Sequence, residues 1–135
     1  MPHGEISDAI YTKPSSVGCL YSLFVFRSAQ GIGDLILPVV RDEATHVYHL
    51  YVVRTARRDA LRDYLGSKGV QTGIHYPTAL PMLEAYQHLG HTPADFPVAS
   101  QNQREILSLP IFPELSSDAL EYTVACIRDF FDSAQ

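Results

Sequence analysis

The chain has 135 residues, of which 46% are hydrophobic and 19% are charged. This balance indicates one globular domain and excludes a disordered chain, and the net charge of −5, with no basic stripe, argues against a nucleic-acid partner. The longest apolar run, 17–26, is too short to span a bilayer, and Glu5 and Asp8 stand where a secretory signal needs basic residues. The sequence therefore predicts a cytoplasmic protein without a membrane partner, with Cys19 and Cys126 as reduced thiols.

The first 34 residues show no sustained period of two or of 3.6, so they predict no firm element. We treat 1–34 as a separate segment, either disordered or the product of an upstream frameshift, and 35–135 as one domain. The Gly-Ile-Gly-Asp stretch at 31–34 is not followed by the Gly-Lys-Ser/Thr of a P-loop, which disfavours a phosphate site there.

A strand is predicted over 46–54, because this stretch is rich in β-branched and aromatic residues and both alternating faces are largely apolar. A helix follows, with Thr55 as its N-cap and Gly69 as its stop. The inner stripe of this helix is formed by Leu61, Tyr64 and Leu65. A short strand is predicted next, over 70–75.

The carboxy-terminal half is predicted to be mostly helical. Helices are expected over 81–90 and 95–106, and Pro110 and Pro113 prevent a long strand over 107–115. In the second of these helices Val98, Asn102 and Ile106 recur at steps of four, which places them on one face. A last helix is predicted to begin after an N-cap at Ser116 and to bury Leu120, Val124, Ile127 and Phe131. The order of elements predicts an α/β fold of the α+β type, a two-layer sandwich of a small sheet with helices mostly on one face.

Metal and nucleophile chemistry find little support in the residues. His46 and His49 would point to opposite faces of the predicted strand, and His88 and His91 flank Gly90 at a helix end, where imidazole is common. The chain has no HxxxH or Cys-x-x-Cys pair and no G-x-S-x-G, so neither a metal site nor a catalytic nucleophile is predicted.

The turn at His75, Tyr76 and Pro77 is the better candidate for a ligand site. It follows a predicted strand, and Pro77 restricts the backbone of the preceding residue, so the turn can aim side chains at a ligand. The alternative is structural: a packed aromatic ring beside a histidine that hydrogen-bonds the backbone. The spacing alone leaves both interpretations open.

Four stretches stand out, in order: "HVYHLYVVR" at 46–54, "RDALRDYLGSKGVQTGIHYP" at 58–77, "LPMLEAYQHLGHTPADFPVA" at 80–99 and "EILSLPIFPEL" at 105–115. Together they resemble the carboxy-terminal small domain of the DegT/StrS-type sugar aminotransferases, enzymes of fold type I that depend on pyridoxal phosphate. The resemblance covers about residues 35–132. It implies transfer of an amino group from glutamate or glutamine to a keto group of a nucleotide-linked sugar, with a Schiff-base lysine from the large domain.

The resemblance also implies roles and absences in this chain. His75 and Tyr76 align with the family's His-Tyr-Pro at the mouth of the site and are expected to bind substrate. A Pro-Leu-His often follows in the family, whereas this chain has Ala79-Leu80-Pro81. Neither Lys13 nor Lys68 matches the Schiff-base motif. We therefore expect no catalytic, cofactor-binding or metal residue here, and no transaminase activity by the chain alone.

Two further interpretations remain at this point. One is a free-standing, non-enzymatic α/β module that binds a sugar nucleotide or a full-length relative, and the other is an unrelated α/β domain. An isolated small domain would expose the apolar surface that normally meets the large domain, and this surface would favour self-association or a large-domain partner.

Overall fold

The structure is a computed structural model that describes residues 27–44 and 48–133. Its bounded elements are, in chain order, β1 (Tyr51–Arg54), α1 (Arg58–Ser67), 3-10 helices at Leu80–Met82 and Glu84–Leu89, α2 (Pro97–Glu105), β2 (Ile106–Leu109) and α3 (Ser117–Asp132). Predictions that concern Lys13, Cys19 and His46 lie outside the described residues. Within the described part, no helix is both long and apolar enough to cross a membrane.

The sheet is small and antiparallel. Strands β1 and β2 pair with Tyr51 opposite Leu109 and Arg54 opposite Ile106. Single bridges extend it on both sides, from Ile36 to β1 and from Gly73 to β2. The combination of this sheet with the helices confirms the predicted fold class.

One core joins the sheet to α1 and α3. Its innermost side chains, which are buried from solvent, are Val53, Leu61, Leu65, Leu107, Leu120 and Ile127. Burial of side chains of this size contributes about 1.5–3 kcal/mol each, which makes this core the main source of stability. Ala29 and Ile32 also belong to this core, although they precede residue 35. The predicted domain boundary itself stays a prediction.

The start of α1 is held by a residue that the sequence did not single out. Asp34 accepts a hydrogen bond from the Thr55 hydroxyl at 2.8 Å and another from the Ala56 amide at 2.9 Å. The Thr55 hydroxyl in turn accepts from the Arg57 amide at 3.1 Å. The predicted N-cap at Thr55 is therefore wrong in position, because the helix begins at Arg58 with Arg57 as its N-cap. The Asp34 carboxylate, at the start of α1, also complements the positive end of the helix dipole.

Both predicted strands of the amino-terminal half are shorter than expected. Strand β1 begins only at Tyr51, because Tyr48 has a φ of 48°, which is incompatible with an extended strand. The Tyr48 ring stacks on that of Tyr51, with 5.6 Å between ring centroids. The strand predicted over 70–75 reduces to the single bridge at Gly73.

The middle of the chain also departs from prediction. Instead of one α-helix over 81–90, two 3-10 helices occur, and Leu83 between them is extended, with ψ of 146°. Helix α2 forms as expected, but the periodic residues do not mark its buried face: Val98 is 70% exposed, and Ser100 is buried. The Ser100 hydroxyl donates to the Pro93 carbonyl at 3.3 Å, which explains how a polar residue occupies the inner face.

Helix α3 matches its prediction closely. The Ser116 hydroxyl accepts a hydrogen bond from the Ala119 amide at 3.2 Å, which confirms the predicted N-cap. The predicted stripe is buried along its whole length: Leu120, Val124, Ile127 and Phe131. Cys126 lies on this same face of α3, and its thiol is free and buried.

Candidate functional site

His75 is fixed to strand β2 by its ring. Its Nδ1 lies 2.9 Å from the hydroxyl oxygen of Ser108, which is buried. The backbones of Ser108 and Gly73 exchange two hydrogen bonds, of 3.0 and 2.7 Å, so the segment that leads into His75 is also held. The imidazole is therefore oriented by a side chain on a rigid strand, which is how binding groups are usually pre-organised.

Tyr76 projects from the turn into solvent. Its side chain is 74% exposed, and its ring meets that of His75 edge to face, with 5.8 Å between centroids. The peptide bond between the two residues is cis. Two adjacent rings with polar atoms thus lie together at the surface. Substrate binding by His75 and Tyr76 stays a prediction.

A cleft of about 280 Å³ lies beside the His75 ring. It is formed by the segment that precedes the turn and by the end of β2, with Thr72, Ser108 and Pro110 among its walls. Because hydroxyl groups and apolar walls occur together, the cleft can combine hydrogen bonding with packing against a small ligand.

A second, more apolar groove of about 290 Å³ follows the turn in the chain. Its walls are Leu80, Pro81, Tyr86, Leu89, His91 and Phe96. The His91 ring packs edge-on against Phe96, at 5.0 Å between centroids. Next to it, Asp95 accepts hydrogen bonds from the amide and hydroxyl of Thr92, which lower the pKa of its carboxyl and fix the turn before α2.

The space that the His75 ring occupies depends on glycine at position 73. A Cβ added to Gly73 would lie 2.5 Å from Cε1 of His75, too close for any ordinary contact. We therefore expect Gly73→Ala to displace the imidazole and break its bond to Ser108, without straining the fold. Heteronuclear NMR of the His75 ring would report the change as altered ring shifts.

Gly66→Ala provides the matched control for that substitution. Apart from the neighbouring residues and the backbone of α1 itself, no atom lies within 4 Å of a Cβ at Gly66, so this variant should leave His75 unchanged and stabilise the helix by about 1 kcal/mol. Ring shifts of His75 that are identical in Gly73→Ala and the wild type would show that the described packing is wrong.

Comparison with known proteins identifies the family to which the chain belongs. The model of the DegT/DnrJ/EryC1/StrS aminotransferase family matches residues 25–128. The chain belongs to this family. Enzymes of the DegT/DnrJ/EryC1/StrS family carry pyridoxal or pyridoxamine phosphate and act on nucleotide-linked sugars with an amino donor. The predicted resemblance and the cofactor of the family are thus confirmed.

Individual relatives agree with the family assignment. The erythromycin biosynthesis sensory transduction protein EryC1 of Saccharopolyspora erythraea is 43% identical over 97 residues, 72% of this chain and 26% of EryC1. The dTDP-3-amino-3,6-dideoxy-alpha-D-galactopyranose transaminase of Aneurinibacillus thermoaerophilus is 37% identical over 70% of this chain and 25% of the enzyme. The chain therefore spans about a quarter of the length of these relatives.

A solved family structure shows the same fold. DesV of S. venezuelae, determined in complex with a ketimine intermediate, matches with a TM-score of 0.79 and 30% identity. The match covers 84% of this chain and 30% of DesV. The fold described above therefore corresponds to part of a complete DegT/DnrJ/EryC1/StrS aminotransferase.

The described residues do not by themselves fit the cofactor of the DegT/DnrJ/EryC1/StrS family. Lys68 is the lysine of the described segments, and its Nζ lies over the Tyr64 ring, 5.3 Å from the centroid. The walls of the cleft beside His75 include no lysine or arginine to hold a phosphate. Across 27–44 and 48–133, no three His, Cys, Asp or Glu side chains are grouped so that they could hold a metal ion.

Proposed function

We propose that this chain forms the carboxy-terminal small domain of a pyridoxal-phosphate-dependent aminotransferase for nucleotide-linked keto-sugars. In this proposal His75 and Tyr76 bind the nucleotide sugar. The observation that carries the proposal is the exposed His75–Tyr76 pair, anchored to β2 within the segment that matches the family.

The hydrogen bond to Ser108 determines what the His75 ring can offer a ligand. Since Nδ1 is engaged by the Ser108 hydroxyl, Nε2 is the nitrogen that remains for a sugar hydroxyl or a phosphate oxygen. A neutral ring donates from Nε2 when Ser108 donates to Nδ1, and accepts at Nε2 when Ser108 accepts. The exposed Tyr76 hydroxyl adds a second donor and acceptor nearby.

The chemical step itself requires groups beyond those described. The cofactor supplies the electron sink when it is bound, and the contribution of this chain is to bind and orient the sugar nucleotide. We propose that the chain by itself catalyses no transamination, because neither Lys13 nor Lys68 matches the Schiff-base motif of the family, and Lys68 lies over Tyr64 and not beside the candidate site. Incubation with pyridoxal phosphate should give no lysine-linked absorbance band, and a band abolished by Lys13→Ala or by Lys68→Ala would contradict this.

The apolar side chains that follow the turn support a binding partner. Leu80, Tyr86 and Leu89 are all exposed around the second groove. We propose that this surface meets the remainder of a complete aminotransferase, because exposed apolar patches of this kind usually mark interfaces.

Binding of a nucleotide sugar tests the proposal directly. We expect dTDP-glucose to bind the 135-residue chain, and Tyr76→Ala to weaken the affinity roughly three- to tenfold, the effect of one lost hydrogen bond. Isothermal titration calorimetry provides the measurement. Tyr122→Ala removes another exposed tyrosine, on α3, and should leave the affinity unchanged. Equal affinities of the two variants would refute the role of Tyr76.

A further inference from the structure

The turn that carries Tyr76 is held at both ends. At its amino end, His75 is bound to Ser108 of β2. At its carboxyl end, the Ala79 amide donates to the side-chain carbonyl Oε1 of Gln103, at 2.6 Å. Only three residues, 76–78, lie between the two anchors, and all three are exposed. The position of Tyr76 therefore depends on both hydrogen bonds.

Gln103 itself is placed firmly by the surrounding elements. It lies in the last turns of α2, and its backbone carbonyl accepts from Nη1 of the buried Arg58 at 3.3 Å. The preceding residue, Asn102, accepts from Nη1 of Arg54 at 2.8 Å, which ties the same part of α2 to β1. The side chain of Gln103 thus connects a rigid part of the core to the exposed turn.

We infer that Gln103 is a positioning residue for nucleotide-sugar binding. It acts through the Ala79 amide to hold Tyr76 where the ligand is bound, and it does not touch the ligand. This inference rests on the proposed function, because it requires the turn to be the binding site. Gln103, which lies on α2 and 24 positions after Ala79, is thus added to the residues that determine binding at the turn.

The test compares three variants of the 135-residue chain. Gln103→Leu removes the acceptor and keeps the size of the side chain, whereas Gln103→Glu keeps an oxygen that can accept from Ala79. Gln101→Leu is the matched control, since Gln101 lies on the same helix but is exposed and bonds only Glu105 within α2. Amide hydrogen exchange reports the anchor, and calorimetry with dTDP-glucose reports ligand binding.

In Gln103→Leu we expect exchange of the Ala79 amide to accelerate about five- to tenfold, because a typical hydrogen bond of this strength is lost. The affinity for dTDP-glucose should fall about threefold or more. Core amides of α1 and α3 should exchange as in the wild type. Gln103→Glu should restore both the exchange rate and the affinity, and Gln101→Leu should change neither.

Several results would overturn the inference. They are an unchanged Ala79 exchange rate in Gln103→Leu, faster exchange with undiminished affinity, or a general acceleration of core amides that Gln103→Glu does not reverse. A wild-type chain that does not bind dTDP-glucose would refute the proposed function and the positioning role together. Normal binding by both the wild type and Gln103→Leu would refute the positioning role alone.

Discussion

Replacing Leu61 with alanine is expected to lower the free energy of unfolding by about 3 kcal/mol. Leu61 has no solvent exposure and lies on the face of α1 that packs against α3 and β2. Its truncation removes buried apolar surface and leaves a cavity that the rigid neighbours on these two elements can fill only in part. Because a domain of this size is stabilised by only about 5–15 kcal/mol, this loss would be a large fraction of the total.

Urea denaturation followed by circular dichroism measures the effect. Leu80→Ala makes the same chemical change at a side chain that is 66% exposed, so its unfolding midpoint should differ little from that of the wild type. If Leu61→Ala and Leu80→Ala shifted the midpoint equally, the core would not be arranged as described.

Arg58→Met is expected to give the second large effect, a loss of about 2 kcal/mol of stability. Nη1 of the buried Arg58 donates to the carbonyls of Gln103 and Ile106, at 3.3 and 3.2 Å. These carbonyls mark the junction of α2 and β2, where the helical hydrogen bonds end. Methionine retains the bulk of the side chain but leaves both oxygens without the guanidinium, and buried acceptors that lose a partner are costly.

A control for Arg58→Met is available on the same helix. Arg62 is paired with Asp59 and Asp63, but these ion pairs are exposed to solvent. Arg62→Met should therefore change the unfolding midpoint little, since exposed ion pairs contribute little to stability. If the unfolding midpoint of Arg58→Met were as close to that of the wild type as the midpoint of Arg62→Met is, the junction of α2 and β2 would not depend on the buried guanidinium.

The elements with strong local signals could be predicted from the sequence. Helix α3 has a serine N-cap and an uninterrupted apolar stripe, and both signals agree with the tertiary packing. Local signals failed where a single backbone conformation decides the outcome. Because Tyr48 has a left-handed φ, β1 starts at a later residue than predicted. The extended Leu83 divides a predicted α-helix into two 3-10 helices. Neither a tyrosine nor a leucine indicates in a sequence that its backbone will adopt such a conformation.

The candidate site could be predicted only in part, for a related reason. The His75-Tyr76-Pro77 triplet is contiguous, so it is visible as a motif. Its anchors are not, because Ser108 lies 33 positions from His75 and Gln103 lies 24 positions from Ala79. Contacts at such separations follow from how the strands and helices pack. The periodic residues of α2 did not help to find these contacts, because the stripe that they form includes Val98, which is exposed.

A heteronuclear NMR titration of the chain with dTDP-glucose tests most directly whether the anchored turn binds a nucleotide sugar. Our prediction is that the largest amide shifts occur at His75, Tyr76 and Thr78, with α3 unaffected. Shifts centred instead on the cavity at the carboxyl end of α1, between Arg62 and Thr72, would contradict it. The absence of any shift at high ligand concentration would contradict it as well.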